Sequence, residues 1–222
     1  MVSQVSKPNE ATDIFYPDSD GQPMASNTEQ YRWILIIQQN LDVLLPEAFV
    51  AGDLFWYPIE GRPDISVAPD VMVALGRPKG KRLSYKQWEE DGVAPQVVFE
   101  ILSPSNTRKE MEQKLLFFDR HGVDEYYLYD TESMETSGFL RSEFGLAHIA
   151  DMAGWVSPLL NIQFDTSGDE LVLLRPDGRP FASFEEVTQK AEAAEQKAEA
   201  AEQKAAKLAA KLKELGIDPE QV

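Results

Sequence analysis

A chain of 222 residues, 43% of them hydrophobic, has the length for one domain of moderate size with a real core, plus an appendage. It has no cysteine and only two separated histidines, His121 and His148, which excludes disulfides, thiolate metal sites and thiol catalysis and argues against a histidine-rich metal centre. The formal net charge of −17 opposes a general nucleic-acid binder, and the nine acids and six bases after Phe184 leave about −14 of it in the folded part.

Any metal held by such a chain must be held by oxygen, which favours magnesium or manganese. Met1 to Glu10 is polar and no run approaches the length of a membrane span, so a cytoplasmic protein without membrane contact is expected. Residues 1–27 are rich in Ser, Asn, Asp, Pro and Gly and read as a flexible arm.

Asn27 or Thr28 can cap a helix running to Leu45, because Trp33, Ile34, Ile37, Leu41, Leu44 and Leu45 recur at helical spacing. Pro46 ends it. Two strand-like runs follow, Phe49 to Pro58 and Ile65 to Leu75, joined by the hairpin-like loop Glu60 to Asp64. Gly76 to Lys86 carries five bases and no acid. A solvated loop and a phosphate-contacting loop are equally open there.

Gln96 to Leu102 is the next strand. Ser103 to Thr107 supplies turn and capping chemistry, a helix runs to about His121, and Gly122 closes it. Asp124 to Asp130 is again a strand. Helix, hairpin, strand, helix, strand builds an α/β (α+β) fold with a mixed sheet flanked by helices, the last two strands parallel because a helix joins them. Thr131 to Phe184 is a β-rich extension with packing residues and no reactive constellation.

Residues 185–222 form a heptad-repeat helix. Ala191 to Lys197 recurs unchanged at Ala198 to Lys204, and Val187, Ala191, Ala194, Ala198, Ala201, Ala205, Leu208, Leu212 and Leu215 alternate between d and a positions. So much alanine buries little surface. A coiled-coil homodimer and a lone charged helix both remain open, and Leu215-Gly216-Ile217 is a Schellman-type stop.

Two carboxylates interrupt the apolar runs Ala68 to Val73 and Val97 to Leu102. Burying an ionised carboxylate costs several kcal/mol unless it is paired, protonated or metal-bound. Strand alternation sets Asp70 with Met72 and Ala74, and Glu100 with Val98 and Leu102, so the two can converge if the strands are neighbours. Two carboxylates and a phosphate suffice to hold magnesium, and a nearby lysine could position the attacking water. Pro69, with no N–H, marks a strand start, edge or bulge where a side chain can be re-aimed.

Pro69-Asp70 at one strand and Glu100 on the next, in this element order, resemble the PD-(D/E)XK restriction-endonuclease-like superfamily. More closely, Val67-Ala68-Pro69-Asp70-Val71, Val98 to Ser105, and Lys114 with Phe117 to Tyr127 resemble the bacterial Uma family of proposed endonucleases over roughly residues 28–184. The resemblance implies a restriction-endonuclease-like core, DNA as substrate, Mg2+ or Mn2+ held by Asp70 and Glu100, and catalysis by Asp70, Glu100 and Lys114. Leu102 stands where the superfamily places its lysine, so the resemblance moves that role to Lys114 on the following helix, with Lys109 as fallback.

Glu29, Gln38, Gln39, Asp53 and Gln113 are accessory candidates without a firm assignment. Two other readings stay open: a non-catalytic nuclease-fold module that recruits a partner through its C-terminal helix, and a structural pair of carboxylates balanced by Arg62, Arg108 or Lys114.

Overall fold

The computed structural model describes residues 14–19, 21 and 25–214, the side chains of 213 and 214 excepted. The chain divides into two units after Phe181. In the first, the helix α1 (Thr28–Leu44) begins at Asn27, whose side chain accepts the Gln30 N–H and so satisfies one of the free amides of the first turn. Its stripe of Trp33, Ile34, Ile37 and Leu41 is buried.

Six strands form the main sheet: β1 (Ala48–Gly52), β3 (Val71–Leu75), β5 (Val97–Leu102), β6 (Glu125–Asp130), β7 (Thr136–Ser142) and β8 (Gly145–His148), in the order β1-β3-β5-β6-β7-β8. β5 and β6 are parallel, as a helical crossover requires, and the other neighbours are antiparallel. Two short strands between these, β2 (Trp56–Tyr57) and β4 (Tyr85–Lys86), pair with each other in parallel. The expected run from Phe49 to Pro58 is therefore broken. Asp53 takes a left-handed φ of 47°, turning the chain out of the ladder so that Trp56 leaves the sheet and pairs with β4.

The helix α2 (Arg108–His121) opens on a capping box between Thr107 and Glu110 and closes on Gly122 at φ 94°. Buried residues alternate by strand parity between the two faces of the sheet. Val71, Val73, Val97, Phe99 and Ile101 join α1 and the hairpin of β9 (Gln163–Asp165) and β10 (Val172–Leu174) in one core. Met72, Ala74 and Val98 join Trp56, Phe118 and Tyr126 in the other, on the α2 side. Both faces are covered, so β3 and β5 read as continuous apolar runs in which a carboxylate is conspicuous. The β-rich extension is of two kinds: β7 and β8 complete the main sheet, and β9 and β10 cover its α1 face.

The described part of the expected N-terminal arm is anchored. The Tyr16 ring lies 5.1 Å from both Tyr57 and Trp88, its hydroxyl accepts the Gly61 N–H, and Tyr57 donates its hydroxyl to the Pro17 carbonyl at 2.6 Å. Much of the remaining arm, and the expected stop at Leu215-Gly216-Ile217, lie outside the described residues.

The second unit is the 31-residue helix α3 (Phe184–Glu214), started by Ser183, which accepts the Glu186 N–H while Glu186 accepts the Ser183 N–H. Among the described residues no helix is long and apolar enough to cross a membrane.

Candidate active site

Register decides where the two carboxylates stand. β3 and β5 pair Val71 with Phe99, so one residue further Asp70 faces Glu100. β1 and β3 pair Gly52 with Val71, which puts Asp53 beside Asp70 in the same transverse row. Asp53 just past the end of β1, Asp70 just before the start of β3 and Glu100 within β5 thus line up at one edge of the region where β1 and β3 pair. Pro69 closes β3 there: its carbonyl accepts the Asp53 N–H at 3.1 Å, while the Ile101 N–H of β5 donates to the Asp70 carboxylate at 2.7 Å. A side chain has replaced a ladder carbonyl at that point, which aims and holds Asp70.

Glu100 is 1% exposed. Its parity directs it to the α2 face, where the Lys114 ammonium donates to its carboxylate at 2.7 Å. Its other oxygen is buried without a hydrogen-bond partner. Burial and the neighbouring Asp70 push the Glu100 carboxyl up to about 8, against the pull of Lys114. Burial likewise lifts Asp70 to about 6, opposed by Lys114, the Ile101 N–H and Gln30 and reinforced by Asp53. Burial works against the Lys114 ammonium, but Glu100 and Asp70 outweigh it and raise its pKa. Two acids sharing one lysine form an electron-rich, cation-hungry site.

Asp70 and Lys114 line an open cleft of about 350 Å3 together with Asp53, Gln30, Glu110 and Ser26. Gln30 and Glu110 escape the sequence reading. Gln30 is buried, donates to the Ile101 carbonyl at 2.8 Å and accepts the Ser26 N–H at 2.7 Å, tying α1 to the strand that carries Glu100. The signal was present: Gln30 lies one turn before Trp33 and Ile34 on the apolar stripe, a polar residue at a core position. Glu110, the capping-box acid, stands one helical turn before Lys114 and faces the same cleft.

Of the other candidates, Glu29 is paired with Arg32, and Gln113 lines a separate groove with Leu116 and His121. Lys109 is exposed. Arg62 pairs with Asp64 and Arg108 with Glu112, so neither balances the buried acids. The basic loop is neutralised from nearby: Arg77 meets Asp91, Lys79 meets Asp42, Arg82 meets Glu90 and Lys86 meets Glu89. Arg82 also lies 3.9 Å over the Phe49 ring. Four of its five bases have acid partners, which favours a structural loop over a phosphate-contacting one.

Among the described residues no three Asp, Glu or His side chains gather closely enough to cage a metal. A cation here would rest on Asp70 and Glu100 with water completing its shell, a mode suited to Mg2+ and Mn2+. The donor set fits such an ion: it is all oxygen, and one buried Glu100 oxygen lacks a partner.

The sequence model of the Uma2 family, described as "Putative restriction endonuclease", matches residues 16–153, more than half of the chain, including all three site residues. The chain belongs to the Uma2 family. No curated protein matches it. A crystal structure of "a putative nuclease belonging to DUF820 from Anabaena variabilis" is similar to this Uma2 chain, with 16% identity over 60% of this chain and 72% of the other and a TM-score of 0.45. In the Uma2 chain the family match spans the whole run from the N-terminal anchor at Tyr16 through the sheet to β8, leaving β9, β10 and α3 outside it.

Proposed function

We propose that this Uma2 protein is a metal-dependent endonuclease that hydrolyses DNA phosphodiester bonds at the cleft lined by Asp70 and Lys114, with Glu100 buried beside them. The observation that carries the reading is the convergence of Asp70 and Glu100 across adjacent strands, with Lys114 reaching Glu100 from α2. Family membership supports the reaction class. A bound divalent cation supplies Lewis-acid polarisation of the phosphodiester and lowers the pKa of a water nucleophile.

The chain's own residues divide the remaining work. Asp70 is oriented by the Ile101 N–H and Glu100 by Lys114, so neither carboxylate must reorganise to accept an ion. With a cation held there, Asp70 and Glu100 would both be ionised and Lys114 would no longer be their sole counter-charge. The Lys114 ammonium, on the cleft wall, can then donate to a phosphoryl oxygen or hold the attacking water. The acids Asp53, Asp70 and Glu110 would repel a bare phosphate, which is why the cleft calls for a cation before a phosphodiester can approach.

The competing reading, a non-catalytic module that recruits a partner through α3, draws on the neutralised basic loop and the acidic net charge. Nicking of supercoiled plasmid in Mg2+ or Mn2+, lost in EDTA and in Asp70→Ala, is the expected result. In parallel, the cation should raise the melting temperature of the wild type and leave Asp70→Ala unmoved, by ligand linkage. A thermal shift without nicking would favour the module, and nicking undiminished in Asp70→Ala would remove the cleft from catalysis.

A further inference from the structure

The helix α3 exposes three large members of its apolar stripe, Phe184 at 76%, Val187 at 53% and Leu208 at 60%, and leaves Leu212 half-buried. We propose that this stripe is the seam of a two-stranded, parallel, in-register coiled coil with a second copy of the same helix. The flanking charges carry the inference. With Phe184, Ala191, Ala198, Ala205 and Leu212 at a and Val187, Ala194, Ala201 and Leu208 at d, every g position is lysine: Lys190, Lys197, Lys204 and Lys211. The e positions hold Thr188, Glu195, Glu202 and Ala209, with no base among them.

In a parallel pair each g residue faces the e residue of the partner's next heptad. Lys190 then meets Glu195 and Lys197 meets Glu202, and the symmetry of the pair repeats both contacts. In an antiparallel pair g meets g and e meets e, which sets lysine against lysine and glutamate against glutamate. Core sizes agree. In parallel register Phe184, Val187 and Leu208 each meet their own copy, whereas the antiparallel alignment that matches Phe184 with Leu208 sets Val187 against Ala205. The acidic first half and basic second half of the helix oppose this preference, since Glu192 and Lys207 would attract in the antiparallel form. Those residues sit at b and c, pointing away from the seam, where salt screens beyond roughly 8 Å. Contacts at e and g are adjacent to the core and prevail. Both chains therefore enter the coil from the same end.

The cysteine-free sequence makes the test clean in the full-length chain. Under mild oxidation Ala191→Cys alone, and Ala201→Cys alone, should each form a disulfide-linked dimer. A mixture of the two variants should yield only like-with-like links by peptide mapping. Links found solely between the Ala191→Cys chain and the Ala201→Cys chain would establish the antiparallel form and overturn the proposal. By sedimentation the wild type should show a dimer, and reversal of both acids, Glu195→Lys with Glu202→Lys, should raise the dissociation constant at least about tenfold. Mixing that chain with one carrying Lys190→Glu and Lys197→Glu should restore pairing. A monomer at every concentration, a threefold mass, or indifference to charge reversal would each refute the proposal.

Discussion

Replacing Lys114 by methionine keeps the length of the side chain and removes the cation placed against Glu100. Glu100 is 1% exposed and one of its oxygens already lacks a partner, so an ionised carboxylate left there would cost roughly 3–5 kcal/mol. The carboxyl has an escape: it can bind a proton, and with a pKa already at about 8 it does so readily near neutrality. At pH 7 the loss should therefore be only about 1–3 kcal/mol, the value of a hydrogen bond and its desolvated acceptor. The sign with pH follows from the raised pKa. An acid whose folded pKa exceeds its unfolded value binds a proton in the native state that the unfolded chain has released, so stability falls as pH rises through that window. Without Lys114 the window extends above 8, and the deficit of Lys114→Met against wild type should widen between pH 8 and 10 by up to about 1.4 kcal/mol per unit. Urea unfolding in EDTA at pH 6, 8 and 9.5 measures it, and adding Glu100→Gln to Lys114→Met should abolish the widening. A deficit independent of pH, additive with that of Glu100→Gln, would mean that the two groups do not interact.

Three further outcomes follow from groups away from the cleft. Glu125 is buried, accepts from Ser157, Tyr127 and the Leu159 N–H, and has its pKa raised by burial, so the native state favours its protonated form; Glu125→Gln should flatten the fall of stability with pH above about 4.5, read as the difference from wild type. Arg82→Met removes a pair whose side chains are both 13% exposed, together with the contact over Phe49, and should cost about 1–3 kcal/mol by denaturant titration while leaving DNA affinity unchanged, because its guanidinium is already engaged by Glu90. Gly122→Ala forces a methyl-bearing residue to φ 94° with its Cβ in ordinary contact 3.6 Å from Ala94, so it should lower stability by about 1 kcal/mol through backbone strain alone, with nicking retained.

Local chemistry made the helices legible. Asn27, Thr107 and Gly122 cap as their types require, and the stripe on α1 announced which face is buried. Asp53 was harder, because Phe49 to Pro58 reads as one strand-like run and nothing in its periodicity marks a left-handed residue. The clue is its neighbour: a Cβ on Gly52 would come to 3.3 Å from the Asp70 carbonyl, a tight contact that favours glycine before the acid. The basic loop shows the limit of counting charge within a segment. Its acids lie just outside it, Glu89, Glu90 and Asp91 in sequence and Asp42 across space, and only the first three could have been weighed beforehand.

The place of the lysine follows from strand parity and from the crossover after β5. A lysine two residues after Glu100 would stand on the same face of β5, one pleat along, about 7 Å away at the backbone. Leu102 occupies that place, but the face itself is fixed by strand parity, and Glu100 shares it with Val98 on the α2 side. The helix α2 follows β5 directly and crosses over that face to begin a parallel strand, as the register of β5 with β6 demands. A cation for Glu100 can therefore come from the strand itself or from the helix laid on it, and Lys114 is the base of α2 that turns to the cleft while Lys109 and Arg120 remain exposed. The parity of one glutamate and the handedness of one crossover choose the element that supplies the lysine, and the phase of α2 chooses the residue.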